Sequence, residues 1–366
     1  MKKVVFILCV VMTLVSSCRN SKGEISFLPV SSGRPYEMLL VIDKDMYERP
    51  AGRVLHDVLT SDVPGLPQHE PQFRISTTPM SGFDRTYKIF RNIIVVNIDP
   101  ERYTTTRFKF VRDLNASPQM IMTINSPSEA EMGEYIYKHK QTILDFFVKA
   151  ELNRMIKILE RNHAEEVATT AKDMFDCTVW LPTDINAIKT GKNFFWASEQ
   201  GNNLLNFCMY SYPYTSSDIF NLDYFVHKRD SVMAKNIPGA KEGMHMATQV
   251  FENQILAESK NIAVRHAFAQ EVRGLWEMTN DNMGGPFISH VRVDTVNQKV
   301  IVAEGFVYLP NDPKKRDQIR KLEAALYTLQ LPAEKAEELE TEGVEEADST
   351  EISGKLKNVS KDKQKD

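Results

Sequence analysis

Phe287-Ile288-Ser289-His290-Val291-Arg292-Val293-Asp294 and Lys299-Val300-Ile301-Val302-Ala303-Glu304-Gly305-Phe306-Val307-Tyr308-Leu309 are two runs of strand length. The short connection around Val296-Asn297-Gln298 predicts that they fold back as an antiparallel hairpin. Upstream, residues 246–255, 262–272 and 275–279 also read as strands, with Gly274 as a bulge between the last two. Farther back, 178–181, 193–198 and 204–210 read as strands, with a turn at Gly201-Asn202-Asn203. Helices are expected over 166–175 and 218–235. A last one begins at Pro313, with Ile319, Leu322, Ala325, Leu326 and Leu329 on one side.

The first half alternates in the same way. Residues 37–42, 73–77 and 92–98 read as strands, the last a continuous apolar run of the kind buried on both faces. Residues 108–111 and 119–124 resemble a strand pair. Val54, Leu55, Val58 and Leu59 form the stripe of a short helix after Pro50, which Pro64-Gly65-Leu66-Pro67 ends. Ser128 with Glu131 opens a helical stretch running to about His163, as one long helix or two in line. The expected fold class is α+β, with mixed or antiparallel sheets and packed helices in two halves, 35–163 and 164–332. The halves follow a similar order of elements, which leaves a distant duplication open. Residues 333–366 carry eleven acidic and six basic side chains and few large aliphatics, and read as a disordered charged tail.

The start of the chain reads as an address. Lys2 and Lys3 precede an apolar run over 4–15, and Val15-Ser16-Ser17-Cys18 follows. That order looks like a bacterial lipobox: signal peptide 1–17, then a tether over 18–34 acylated on Cys18. Several acyl chains bury enough methylenes for stable attachment, at roughly 0.8 kcal/mol each. No aspartate follows Cys18, and Arg19-Asn20-Ser21-Lys22-Gly23 holds no acidic cluster. The expected location is therefore the periplasmic face of the outer membrane, with membrane lipid as the first partner. With 45 basic and 49 acidic residues the chain has no electrostatic reason to bind nucleic acid. Cys177 and Cys208 read either as buried apolar residues or as a disulfide, whose closed loop of about thirty residues would add ~3 kcal/mol.

Recognisable catalytic spacing is missing. The sequence has no His-Glu-x-x-His, no paired Cys-x-x-Cys and no Gly-x-Ser-x-Gly, so no metal or cofactor is expected. His245, His266 and His290 would need to face one another across a sheet to act together. The denser constellation is Trp276, Glu277, Asp281, Asn282 and the 283–286 turn, with Arg265, Glu271 and Arg273 sharing strand parity. Trp276, Arg273, Glu277 and Asn282 are the candidate ligand contacts, for a sugar or peptide of the envelope. The competing reading is a core tryptophan beside a structured turn.

Arg273-Gly274-Leu275-Trp276-Glu277-Met278, Asn282-Met283-Gly284-Gly285-Pro286-Phe287 and Glu304-Gly305-Phe306-Val307-Tyr308 accompany the lipobox and an opening Gly33-Arg34-Pro35-Tyr36. Together they resemble a lipoprotein family of Bacteroidetes, the domain of unknown function numbered 4837. The resemblance implies class and location over nearly the whole ordered chain, and no catalytic residues. It also implies O-glycosylation at Asp-Ser/Thr-X, found at Asp230-Ser231-Val232, Asp294-Thr295-Val296 and Asp348-Ser349-Thr350; Thr295 and Ser349 are the exposed candidates. The expected function is a non-catalytic binding or scaffolding module for an envelope protein, peptide or glycan. The alternatives are a periplasmic hydrolase without a recognisable motif and an accessory subunit of an outer-membrane complex.

Overall fold

The computed structural model describes residues 28–334, apart from 202, 203, 253, 311 and 313. Readings placed on Cys18, on the Asn202-Asn203 turn, on Pro313, and on the tail beyond 334 with Ser349 lie outside the described residues. Ala333 and Glu334 belong to the folded body rather than the tail, because the Glu334 carboxylate is seated on buried Arg292.

The first half is a five-stranded sheet. Its strands are β1 (Glu37–Val41), β2 (Arg74–Thr78), β3 (Asn92–Ile98), β4 (Arg107–Arg112) and β5 (Met120–Ser126), in the order β2-β1-β3-β5-β4. All pairings are parallel except β4 with β5. Parallel strands need covered faces, and both faces are covered. On one face Met38, Leu40, Ile94 and Met122 meet three helices; on the other Leu39, Val41, Ile93 and Ile121 meet Phe83 and Phe90. Helix α1 (Lys44–Glu48) leads into α2 (Pro50–Leu59), and α3 (Arg85–Lys88) is a single turn. The long stretch after Ser128 is two helices, α4 (Glu129–Lys138) and α5 (Lys140–Arg161), parted at His139. Ser128 Oγ accepts the Glu131 N–H at 3.3 Å, as a capping box requires. Glu131 does not return the bond; its carboxylate accepts from Thr106 N at 2.6 Å and Thr106 Oγ1 at 2.9 Å, fastening α4 to the start of β4.

The second half is one large antiparallel sheet with a separate two-stranded pair. After α6 (Glu165–Phe175) come β6 (Ile185–Gly191), β7 (Phe194–Glu199) and β8 (Leu204–Pro213), then α7 (Leu222–Asn236). Next come the short β9 (Met246–Thr248), β10 (Val250–Phe251) and β11 (Gln254–Ile255). They precede β12 (Glu258–Val264), β13 (Ala267–Met278), β14 (Gly284–Asp294) and β15 (Lys299–Tyr308), and α8 (Arg316–Leu326) closes the body. The sheet order is β12-β13-β14-β15-β8-β7-β6, with β9 beside β13. A five-stranded, mostly parallel sheet and this antiparallel one share no topology, so the halves are not a structural repeat.

The β14–β15 hairpin forms as the sequence predicts. Asp294 Oδ1 accepts the N–H groups of Val296 and Asn297, which fixes the turn. Three strand expectations fail. Residues 246–255 are not one strand: β9 pairs with β13, and the chain then turns back on itself as the β10–β11 pair. Residues 178–181 form only one bridge, between Thr178 and Gln330, because their neighbour is the chain end after α8 rather than a strand. The run 262–272 is two strands, turned at Arg265 and His266, whose φ angles are 49° and 66°. Gly274 is not a bulge: β13 and β14 stay in register through Gly274↔Phe287. An added Cβ there would lie 2.9 Å from both Ala257 Cβ and the Phe287 ring, so close packing requires the glycine.

Period-two alternation sorts β15 between two cores. Ile301, Ala303 and Val307 pack with α6, α8 and the end of α5; Val300, Val302 and Phe306 pack with α7. Cys177 lies in the first core and Cys208 in the second, and the two thiols are not bonded to each other. The disulfide reading therefore falls to buried apolar packing on opposite faces of one sheet.

Helix α8 also joins the halves. The residue before it, Lys315, supplies no side-chain cap, and Glu70 of the first half takes that role. The Glu70 carboxylate accepts from Lys315 N at 2.6 Å and Arg316 N at 3.0 Å. Arg316 Nη1 donates to Pro71 O at 2.8 Å, and Arg320 to the Gln72 side chain. A cap is worth about 1 kcal/mol, and a carboxylate at a helix N-terminus gains from the dipole as well. Glu70→Ala is expected to lower stability by about 1–2 kcal/mol, read from denaturant midpoints at constant m.

Candidate functional site

The end of the β13–β14 hairpin is built on close backbone contacts. Met278 N donates to Met283 O at 2.8 Å and Asp281 N to Met278 O at 3.0 Å, while Asn280 takes φ 59°. Gly285 sits against the neighbouring backbone: a Cβ there would be 2.0 Å from Val307 O and 3.1 Å from Trp276 Nε1. The turn is fixed by close packing against β15.

Beside it lies a cleft of about 500 Å³. The hairpin end supplies Trp276, Glu277, Asp281 and Asn282; Tyr308 follows from β15, Gln249 from the segment after β9, and Gln68 and Lys315 from the seam between the halves. Three of the four candidate ligand contacts therefore share one cleft. Arg273 does not join them. Strand parity places it on the α8 face, where Nε bonds Glu271 Oε1 at 2.7 Å and Nη2 bonds Glu323 Oε1 at 2.6 Å. The Arg–Glu pair thus runs along one strand, not across two. Arg265 occupies the β12–β13 turn, outside both strands, so strand parity does not group it with Glu271 and Arg273.

Trp276 is 3% exposed. Its indole N–H donates to Val307 O at 3.2 Å, and its ring packs edge-on to Phe306 at 5.7 Å. It is a wall of the cleft whose polar edge is already bonded, not an open stacking surface. Glu277 is half-buried, Asp281 and Asn282 are exposed, and the Asp281 carboxylate accepts the Asn282 N–H at 2.6 Å. Lys315 Nζ is held by Asp312 O at 3.0 Å and Gln68 Oε1 at 3.4 Å. Sequence reasoning missed Gln68, Gln249, Tyr308 and Lys315. They come from distant segments and carry no local signal.

The buried charges elsewhere are paired. On the α8 face, burial opposes ionisation of Glu271, but Arg273 and His290 outweigh it and hold the carboxyl far below the ordinary carboxylate range. Burial likewise opposes Glu323, whose carboxyl Arg273 and Arg320 pull down. On the α7 face, Arg229 makes a bidentate pair with Glu304, both completely buried. Cys208 lies on that face; burial first, then the Glu304 charge, push its thiol well up, which makes it inert as a nucleophile. The three histidines separate. His245 lies against the Thr279 turn, His266 is in the β12–β13 turn, and His290 is buried on β14 with its ring edge-on to Tyr327 at 4.9 Å. No cluster of three or more metal-ligating side chains exists among the described residues. No helix among them is long and apolar enough to cross a membrane. Thr295 is exposed at the tip of the β14–β15 hairpin.

Residues 162–328 match the family described as "Domain of unknown function (DUF4837)", and residues 31–160 match a second, "Domain of unknown function (DUF8532)". The resemblance expected over nearly the whole ordered chain thus divides: the 273–308 motifs fall in the first match and Gly33-Arg34-Pro35-Tyr36 in the second. No curated protein matches. A crystal structure from Bacteroides thetaiotaomicron is similar at 12% identity with a TM-score of 0.23. That similarity covers 42% of this chain and 44% of the other. The chain thus matches two families of unknown function, one over each half, and the candidate cleft lies where the 162–328 match meets the Pro67-Gln68 loop of the 31–160 match.

Proposed function

We propose that the protein is an envelope lipoprotein, acylated on Cys18 and held at the periplasmic face of the outer membrane, whose body binds a glycan or peptide without chemistry. The observation that supports this reading is the lining of the Trp276 cleft. Carboxamides from Gln68, Gln249 and Asn282, carboxylates from Glu277 and Asp281 and the Tyr308 ring face one space. The side chains of Glu277, Asn282 and Gln249 make no hydrogen bond to any other described residue, so they are available to hydroxyl or amide groups of a ligand. The buried ionic groups, by contrast, are spent on one another. Titration calorimetry with peptidoglycan fragments and with lipopolysaccharide sugars tests the reading. Binding by one class, weakened about tenfold in Asn282→Ala, is expected from the loss of a hydrogen-bonding side chain. Failure of both classes to bind, or binding indifferent to Asn282→Ala and Glu277→Gln alike, would refute this site.

One observation favours a second reading. Glu277 and Asp281 are two carboxylates on one cleft, the equipment of glycoside hydrolysis. On that reading Glu277→Gln abolishes release of reducing ends from a bound glycan while leaving binding intact.

A further inference from the structure

We propose that the open edge of β12 is a second docking site, separate from the Trp276 cleft, which takes an acidic peptide as an added strand. β12 is the outermost strand of the large sheet, and no further strand pairs with it among the described residues. Its other side is fully laddered to β13 from Glu258↔Arg273 to Val264↔Ala267. An unpaired edge presents a row of backbone donors and acceptors, and proteins normally cover such a row or bend it away. Here the edge faces a groove of about 730 Å³, with β12 as one wall and α5 as the other. Strand addition to such an edge draws affinity from main-chain hydrogen bonds and selectivity from the groove walls.

The walls select for charge. Lys149 on α5 and Lys260 on β12 line the groove, and Asp145 is the one carboxylate in its lining. Lys149 is exposed, and Asp145 already accepts from Gln141 at 2.8 Å. Lys260 lies 3.0 Å from Glu271 yet stays 60% exposed. A seven-residue peptide in extended form spans about 23 Å, which matches the seven residues of β12.

The test uses the full chain and the labelled peptide acetyl-Glu-Thr-Glu-Val-Glu-Thr-Glu-amide, followed by fluorescence anisotropy and amide exchange. Three results are expected: saturable binding, slowed exchange at the outward-facing amides of Ser259, Asn261 and Ala263, and roughly tenfold weaker binding in Lys149→Glu, an exposed α5 site where folding is not at stake. The same peptide N-methylated at alternate residues, which cannot complete a ladder, is expected not to bind. Equal binding of a lysine-for-glutamate peptide, binding unaffected by Lys149→Glu, or no added protection at Ser259, Asn261 and Ala263 would overturn the proposal. So would outward-facing β12 amides that are already fully protected before peptide is added.

Discussion

Glu304→Ala is expected to lower the stability of the protein by about 3–5 kcal/mol, a large part of what an ordinary domain has. Arg229 Nε bonds the two Glu304 oxygens at 3.1 and 2.9 Å, Nη2 bonds Oε1 at 2.7 Å, and Ser289 Oγ donates to Oε2 at 2.7 Å. Neither charged side chain touches solvent. Alanine at 304 removes the partner and leaves the guanidinium buried over the Phe287 ring, 4.1 Å away, with only Thr248 and Asp230 to share its charge. A buried pair is costly to break but not costly to replace, because its desolvation offsets most of its attraction. The double variant Arg229→Met, Glu304→Met is therefore expected to be more stable than Glu304→Ala alone. Urea titrations of the two variants check this. A single variant that loses less than about 1 kcal/mol would mean that water reaches Arg229.

Gly285→Val is expected to open the candidate cleft and destabilise the sheet beside it, by about 3 kcal/mol or more. The nearest obstacle to a Cβ is backbone, the Val307 carbonyl at 2.0 Å, and backbone does not step aside as a side-chain tip would. Either β14 and the end of β15 separate, or Trp276 loses its bond to that same carbonyl. Both outcomes shift tryptophan fluorescence and lower the melting temperature. Gly133→Ala is the control. Its Cβ would meet Ala51 at an ordinary 3.4–3.5 Å inside helix α4, where alanine is favoured by up to about 1 kcal/mol. The same addition of carbon thus has opposite signs at the two glycines.

The elements that could be read from the sequence are those whose pairing is local. The β14–β15 hairpin brings its own turn, α2 starts at its proline, and Ser128 caps α4 through the next turn of the same helix. What stayed hidden depends on distant partners. β6 has mostly exposed side chains and becomes a strand only because β7 pairs with it. The β12–β13 turn falls inside an unbroken run with neither glycine nor proline, since Arg265 and His266 both take positive φ there. At the cleft, parity correctly put Glu271 and Arg273 on one face, but grouping them with Trp276 ignored that an even-numbered neighbour faces the other core. The Arg229–Glu304 pair joins residues 75 apart, and nothing near either one marks it.

Attachment of the protein to the membrane through Cys18 is tested most directly with radiolabelled palmitate. Cells expressing the full chain or its Cys18→Ala variant are labelled, lysed and fractionated at high salt. The expected result is label and membrane pellet for the parent, and neither for the variant. A Cys18→Ala protein that still sediments with the membranes as the parent does would contradict it.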